Sequence, residues 1–111
     1  MKVPDRGDLI VIDFDPQTGH EQMKRRPALV LSPAAFNGAF GLAYVAPVTR
    51  KPKGHAFEVP LPLDSGVKGA VMVHQLKSLD WRARHARLAG SVTEATLAAA
   101  AEIVRDILET A

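Results

Sequence analysis

Cysteine is absent from this chain of 111 residues. That excludes disulfides, thiol nucleophiles and cysteine-ligated zinc, and it agrees with a reducing compartment. Aromatic residues are scarce at 5%, so the single tryptophan, Trp81, reads as a core or dimer anchor before it reads as a base-stacking ring. No stretch approaches the roughly 18 apolar residues of a membrane span, and no charged segment leads into an apolar one at the N-terminus. The expectation is a soluble, cytoplasmic protein with no membrane partner. No serine stands in a nucleophile-elbow context and no glycine-rich phosphate loop occurs, which removes the hydrolases and nucleotide-dependent enzymes that rely on them. The histidines at 20, 55, 74 and 85 share no local zinc spacing with each other or with carboxylates, so neither a metal site nor a cofactor is expected. Asp13 and Asp15 lie two apart on one face of an extended segment, but turn chemistry at Asp15-Pro16 explains them better than a divalent-cation pair. Excess charge is small as well: 14 basic against 12 acidic side chains give a net charge of +2. Where the cations cluster therefore says more than their sum.

What is present is a 47% apolar chain broken into short extended runs, enough for one domain over 1–111. Leu9 to Phe14 is rich in β-branched residues and reads as a strand. A turn-rich connection of about a dozen residues follows, long enough to be functional. Pro27 to Ser32 is the next strand, and Ala34 to Gly41, with Asn37-Gly38, reads as a connection. Gly41 to Val48 is a third strand, in which Pro47 suits an end or a bulge. Phe57 to Leu61 reads as an edge strand and Gly69 to Leu76 as an extended segment, with one more short strand near Leu88 and Val92. Ser91-Val92-Thr93-Glu94 matches a capping box. Leu97, Ala101, Val104 and Leu108 then recur on one helical face. Short strands, glycine- and proline-rich turns and one final helix predict a small barrel-like sheet carrying a C-terminal α-helix.

Three basic segments adjoin strand ends: Lys24 to Arg26, Arg50 to His55 and Arg82 to Arg87. The first lies within Glu21 to Leu31, where a carboxylate and three cations precede an apolar strand. Pro27 restricts Arg26 to an extended backbone, so Arg26 leaves the connection in a defined direction. Such a surface suits a phosphate backbone. Cleaving RNA without a metal takes a base for the 2′-hydroxyl, an acid for the departing 5′-oxygen and donors for the developing charge. Arginine meets only the last need, because its donor fork matches phosphate and stays charged.

Across nearly the whole chain the sequence resembles the MazF/PemK/Kid family of toxin endoribonucleases. The likeness rests on Pro4-Asp5-Arg6-Gly7-Asp8-Leu9-Ile10, Asp13-Phe14-Asp15-Pro16, Gly19-His20-Glu21-Gln22, Arg26-Pro27-Ala28-Leu29-Val30-Leu31-Ser32-Pro33, Pro47-Val48-Thr49, Gln75-Leu76-Lys77-Ser78 and Trp81-Arg82-Ala83-Arg84. It implies an SH3-like barrel homodimer that cuts single-stranded RNA without metal, leaving a 2′,3′-cyclic phosphate and a 5′-hydroxyl, and that is held in check by an antitoxin with an acidic, disordered segment. It places the catalytic arginine at Arg26 and the catalytic threonine at Thr49, with Glu21 as a neighbouring carboxylate. Lys24, Arg25, Lys51, Lys53, Gln75, Lys77, Arg82 and Arg84 are the expected RNA contacts. Relatives commonly carry an acidic residue before the glutamine that matches Gln75. This chain has His74 there, and an imidazole with a reference pKa of about 6.5 is a candidate substitute base. Two other readings stay open on the same barrel: a noncatalytic gyrase inhibitor like CcdB, and a plain RNA-binding module.

Overall fold

The computed structural model describes residues 2–14 and 25–109. Seven strands are followed by a C-terminal helix: β1 (Asp8–Asp13), β2 (Arg25–Val30), β3 (Ala43–Thr49), β4 (Glu58–Pro60), β5 (Ala70–Met72), β6 (Lys77–Leu79) and β7 (Arg87–Ser91), then α2 (Glu94–Glu109). A short helix, α1 (Ala34–Phe40), joins β2 to β3. The sheet runs β4-β5-β3-β2-β1-β7, with β6 also on β3. Every described pairing is antiparallel.

Alternation along the central strands builds two cores. Ile10, Ile12, Ala28, Val30 and Val45 point to one side, where Trp81, Leu79 and Ala86 cover them. Leu9, Leu29, Ala46 and Val48 point to the other, against β4, β5 and α2. Burying both faces explains why β1 and β2 read as continuous apolar runs.

Several expectations change. The sheet curls as an SH3-like barrel does but does not close: β4 and β7 stay at its two edges. The extended segment from Gly69 to Leu76 breaks after Met72 into a 3-10 turn, Val73–Gln75. On the outer edge of β3, Ala43 to Val45 pair with β6 and Val48 and Thr49 pair with β5. Pro47 lies between the two partners, where its missing N–H removes no ladder bond on that edge.

The connection containing Asn37-Gly38 is helical, because tertiary contacts outweigh the turn signal. Asn37 is fully buried. Its amide nitrogen donates to the Pro4 and Ser32 carbonyls at 2.7 and 2.9 Å, its side-chain oxygen accepts from Ser32 Oγ at 2.6 Å, and its backbone carbonyl accepts from Trp81 Nε1 at 3.0 Å. Asp5 Oδ1 accepts the Ala34 amide at the start of α1, and that bond chiefly holds the Asp5 carboxyl below its ordinary 3.8. The cap of α2 shifts by two residues: Ser91 ends β7, and Thr93 accepts the Thr96 amide. Thr96 and Ala100 are the buried positions of α2. The Leu97, Ala101, Val104, Leu108 stripe instead lines a groove with Leu31, Tyr44 and Leu76, and Leu108 is 77% exposed.

Candidate functional site

β2 and β3 pair Ala28 with Pro47, Leu29 with Ala46 and Val30 with Val45. Continued two residues in that register, Arg26 falls opposite Thr49 at the end of the sheet. Parity places both on the side of Ala28 and Val30. Arg26 is exposed, with Ile12 as its neighbour on β1. Thr49 ends β3, pairs with Ala70 on the other edge, and its Oγ1 accepts the Lys51 amide at 3.1 Å. That bond leaves the hydroxyl proton available to donate. Gly69 makes the turn possible: at φ 127° its position carries no side chain, and a Cβ there would strike the Thr49 carbonyl oxygen. Glu21 and Lys24 lie outside the described residues.

The cations divide into two groups. Arg25 donates to Asp13 Oδ1 at 2.8 Å and to the His85 carbonyl at 2.7 Å. Arg84 donates to the Phe14 and Asp13 carbonyls at 2.6 and 3.2 Å. Both guanidinium groups therefore brace the end of β1 rather than project as free phosphate contacts. Arg82 stacks over the ring of Trp81 at 4.6 Å, and Trp81 is 2% exposed, a core anchor as expected. Lys51, Lys53, Gln75 and Lys77 are exposed. The Lys77 ammonium lies 5.9 Å from the Phe14 ring centre.

Asp13 is the hub of the first group; Asp15, the other half of the carboxylate pair, lies outside the described residues. Burial pushes its carboxyl up, but the Arg25 and His85 bonds outweigh burial and hold it below 3.8. His85 Nδ1 lies 3.0 Å from Asp13 Oδ2, and its φ of 56° is the only left-handed backbone at a non-glycine residue among those described. Among the described residues no group of three or more histidines, cysteines and carboxylates is arranged to hold a metal.

His74 stands on the 3-10 turn, beyond the end of β5 farther from Ala70 and Thr49. The structure does not bring it beside Arg26. Its ring meets His55 edge-on, with centres 4.9 Å apart, and lies 6.3 Å from Phe57. His55 Nδ1 accepts the Phe57 amide at 3.2 Å. The neutral ring is thereby assigned its proton on Nε2, which faces Glu58 at 3.6 Å. Glu58 accepts the Lys53 and Gly54 amides, with its shortest bond, 2.8 Å, to Gly54. The Gly54 amide is the largest reason its carboxyl lies below the usual 4.5; desolvation opposes it, while Lys53, His55 and His74 assist. This anchor for the basic 50–57 segment was not read from the sequence, where Glu58 looks like an ordinary edge-strand residue. The nearest signal was Lys53-Gly54 followed by a glutamate, Glu58, on the next strand.

Residues 5–108 match the family model described as the PemK-like, MazF-like toxin of type II toxin–antitoxin systems. The chain belongs to that family. The MazF-like toxins it resembles include the endoribonuclease toxin MazF of Escherichia coli K12, 48% identical over 81% of this chain and 80% of that protein. Crystalline MazF from Deinococcus radiodurans superposes with a TM-score of 0.88 at 47% identity, covering 97% of this chain and 98% of that one. MazF in the MazE–MazF crystal of the same organism gives 0.85 at 41% identity, covering 98% of each chain. In this MazF-like chain Arg26 and Thr49 lie on neighbouring strands, beyond the Ala28–Pro47 pair of β2 and β3.

Proposed function

We infer that this toxin cleaves single-stranded RNA by transesterification at Arg26 and Thr49. It is an endoribonuclease, as its curated relatives are by name, which favours cleavage over gyrase inhibition or passive RNA binding. The observation that supports the site assignment is the β2–β3 register, which, continued two residues beyond the Ala28–Pro47 pair, runs to Arg26 and Thr49. The 2′-oxygen attacks phosphorus as its proton leaves to a base, and the 5′-oxygen departs and is protonated. A 2′,3′-cyclic phosphate and a 5′-hydroxyl result. Arg26 neutralises charge on the phosphorane oxygens, and the Thr49 hydroxyl donates to one of them. These donors perform the stabilisation a metal would supply elsewhere, so the reaction needs none.

Glu21, five residues before Arg26 in the chain, takes the base role in this proposal. His74, at the far end of β5 from Thr49, holds the basic 50–57 segment through His55 instead. Two further features belong to the same reading: a cognate antitoxin whose acidic segment competes with RNA, and a homodimer using the apolar groove between α2 and Tyr44. No helix among the described residues is long and apolar enough to cross a membrane, which is consistent with one cytoplasmic domain.

The test is incubation of folded protein with mixed-sequence RNA in EDTA, followed by analysis of the ends. Arg26→Ala should lower kcat about 10²- to 10³-fold, the range for losing one donor to a developing oxyanion. No cleavage by the folded wild type, or equal cleavage by Arg26→Ala, defeats the mechanism. Glu21→Gln should abolish the acid limb of the pH–rate profile while His74→Gln leaves its shape intact. The reverse result returns the base role to His74.

A further inference from the structure

A second groove lies on the opposite side of the same strand ends. Its floor is Val11, Pro27 and Ala89, its volume is about 660 Å³, and Arg50 and Lys68 line it. Ala89 is there because of a bulge: Leu9 pairs with Gly90 and Ile10 with Leu88, which leaves Ala89 as the extra residue of β7. Gly66 and Gly69 form the wall. Both have positive φ, and a Cβ on Gly66 would sit 2.8 Å from the Ala89 carbonyl oxygen. Arg87 is paired with Val11 and so shares the groove's side of the sheet. Among the described residues no carboxylate lines the groove, and Arg50, Lys68 and Arg87 are all exposed.

We propose that this groove binds the phosphodiester backbone of the RNA flanking the cleaved linkage. The proposal rests on the reading of Arg26 and Thr49 above and extends it. The groove adjoins that site: Pro27 follows Arg26, Arg50 follows Thr49, and Gly69 packs on the Thr49 carbonyl. An RNA strand leaving the scissile phosphate can pass around the end of β3 and meet Arg50 and Lys68 in the groove, with Arg87 on the same side of the sheet. Among the described residues the lining carries no aromatic ring on which bases would stack, so the groove reads phosphates and not sequence. An acidic peptide would satisfy the same charges. Continuity with the cleavage site favours RNA.

The experiment measures fluorescence anisotropy of wild type and of a Lys68→Gln/Arg87→Gln double variant on 2′-O-methyl RNAs of mixed sequence, which lack the attacking hydroxyl. Lengths of about 6 and about 18 nucleotides separate local from extended contact, given site sizes of roughly 4–16 nucleotides for comparable single-strand sites. Both substituted side chains are exposed, and a thermal melt checks folding. The double variant should lose about tenfold in affinity for the long RNA and far less for the short one. The dependence of log Kd on log salt should weaken by about 1.4, from roughly 0.7 per single-strand phosphate contact. Equal losses at both lengths, or none, overturn the proposal. Weakened binding of an acidic antitoxin peptide with RNA binding intact also overturns it, giving the surface to the protein partner. Length-dependent binding by a wild type that cuts no RNA in EDTA supports the groove while defeating the proposed reaction, so the two readings fail separately.

Discussion

Asp13 and Glu58 each secure a basic connection, by opposite means. Asp13 faces side chains, the Arg25 guanidinium and the His85 imidazole. Glu58 faces mainly backbone amides, those of Lys53 and Gly54. The difference decides which positive charges remain for a substrate. At the Asp13 end the guanidinium of Arg25 is occupied, and that of Arg84 is committed to carbonyls. At the Glu58 end the ammonium groups of Lys51 and Lys53 take no part in the anchoring. A carboxylate that binds amides shapes a loop without neutralising the loop's own side chains.

The contrast is tested most severely by Asp13→Ala. It strands the partly buried Arg25 without its counter-charge and should cost about 1–3 kcal/mol, less than the 3–5 of a fully buried pair. A urea unfolding midpoint that stays unchanged would show that Asp13 braces nothing. Glu58→Gln should act on binding instead: KM for RNA rises a few-fold as the 50–57 segment loosens, and kcat changes little. A fall in kcat alone would place Glu58 in the chemistry and erase the distinction.

Acid should loosen both anchors together. Both carboxyls titrate below their ordinary values of 3.8 and 4.5, so in that range the folded protein binds fewer protons than the unfolded chain. Their contribution is complete above those ordinary values and disappears as pH falls through the lowered ones. Thermal melts from pH 6 to about pH 3 should show this loss, and Asp13→Ala should flatten part of it. His85→Gly is the mildest change. It gives up the contact with Asp13 and relieves the left-handed backbone, each worth about 1 kcal/mol, so stability should move by less than that. A larger loss would make His85 a principal member of the Asp13 cluster.

Legibility followed the range of the interaction. Helix α2 was readable because Leu97, Ala101, Val104 and Leu108 repeat locally, although the choice between Ser91 and Thr93 as cap depended on where β7 ended. Helix α1 was hidden, since its stabilising bonds reach Pro4, Ser32 and Trp81 and its own residues resemble a turn. At the site, Arg26 and Thr49 were marked by family motifs. The division of labour among the arginines was not, because Arg84 finds its carbonyl partners about 70 positions earlier in the chain. Arg50 and Lys68 were equally illegible as a pair: only the bulge at Ala89 and the glycines at 66 and 69 gather them into one groove, with Arg87 on the same side of the sheet. Barrel closure was an expectation of fold type, and no local pattern in β4 or β7 shows whether their outer edges meet.

The Asn37 side chain joins residues 4 and 32, and the carbonyl of the same residue receives Trp81. Apolar strands slide past one another at little cost when only greasy surface is at stake, whereas a buried amide tolerates a single alignment. Asn37 thus works as a key that admits one threading of the chain. Filling its place with leucine would keep the oil and lose the lock, leaving a collapsed protein with several near-equivalent interiors.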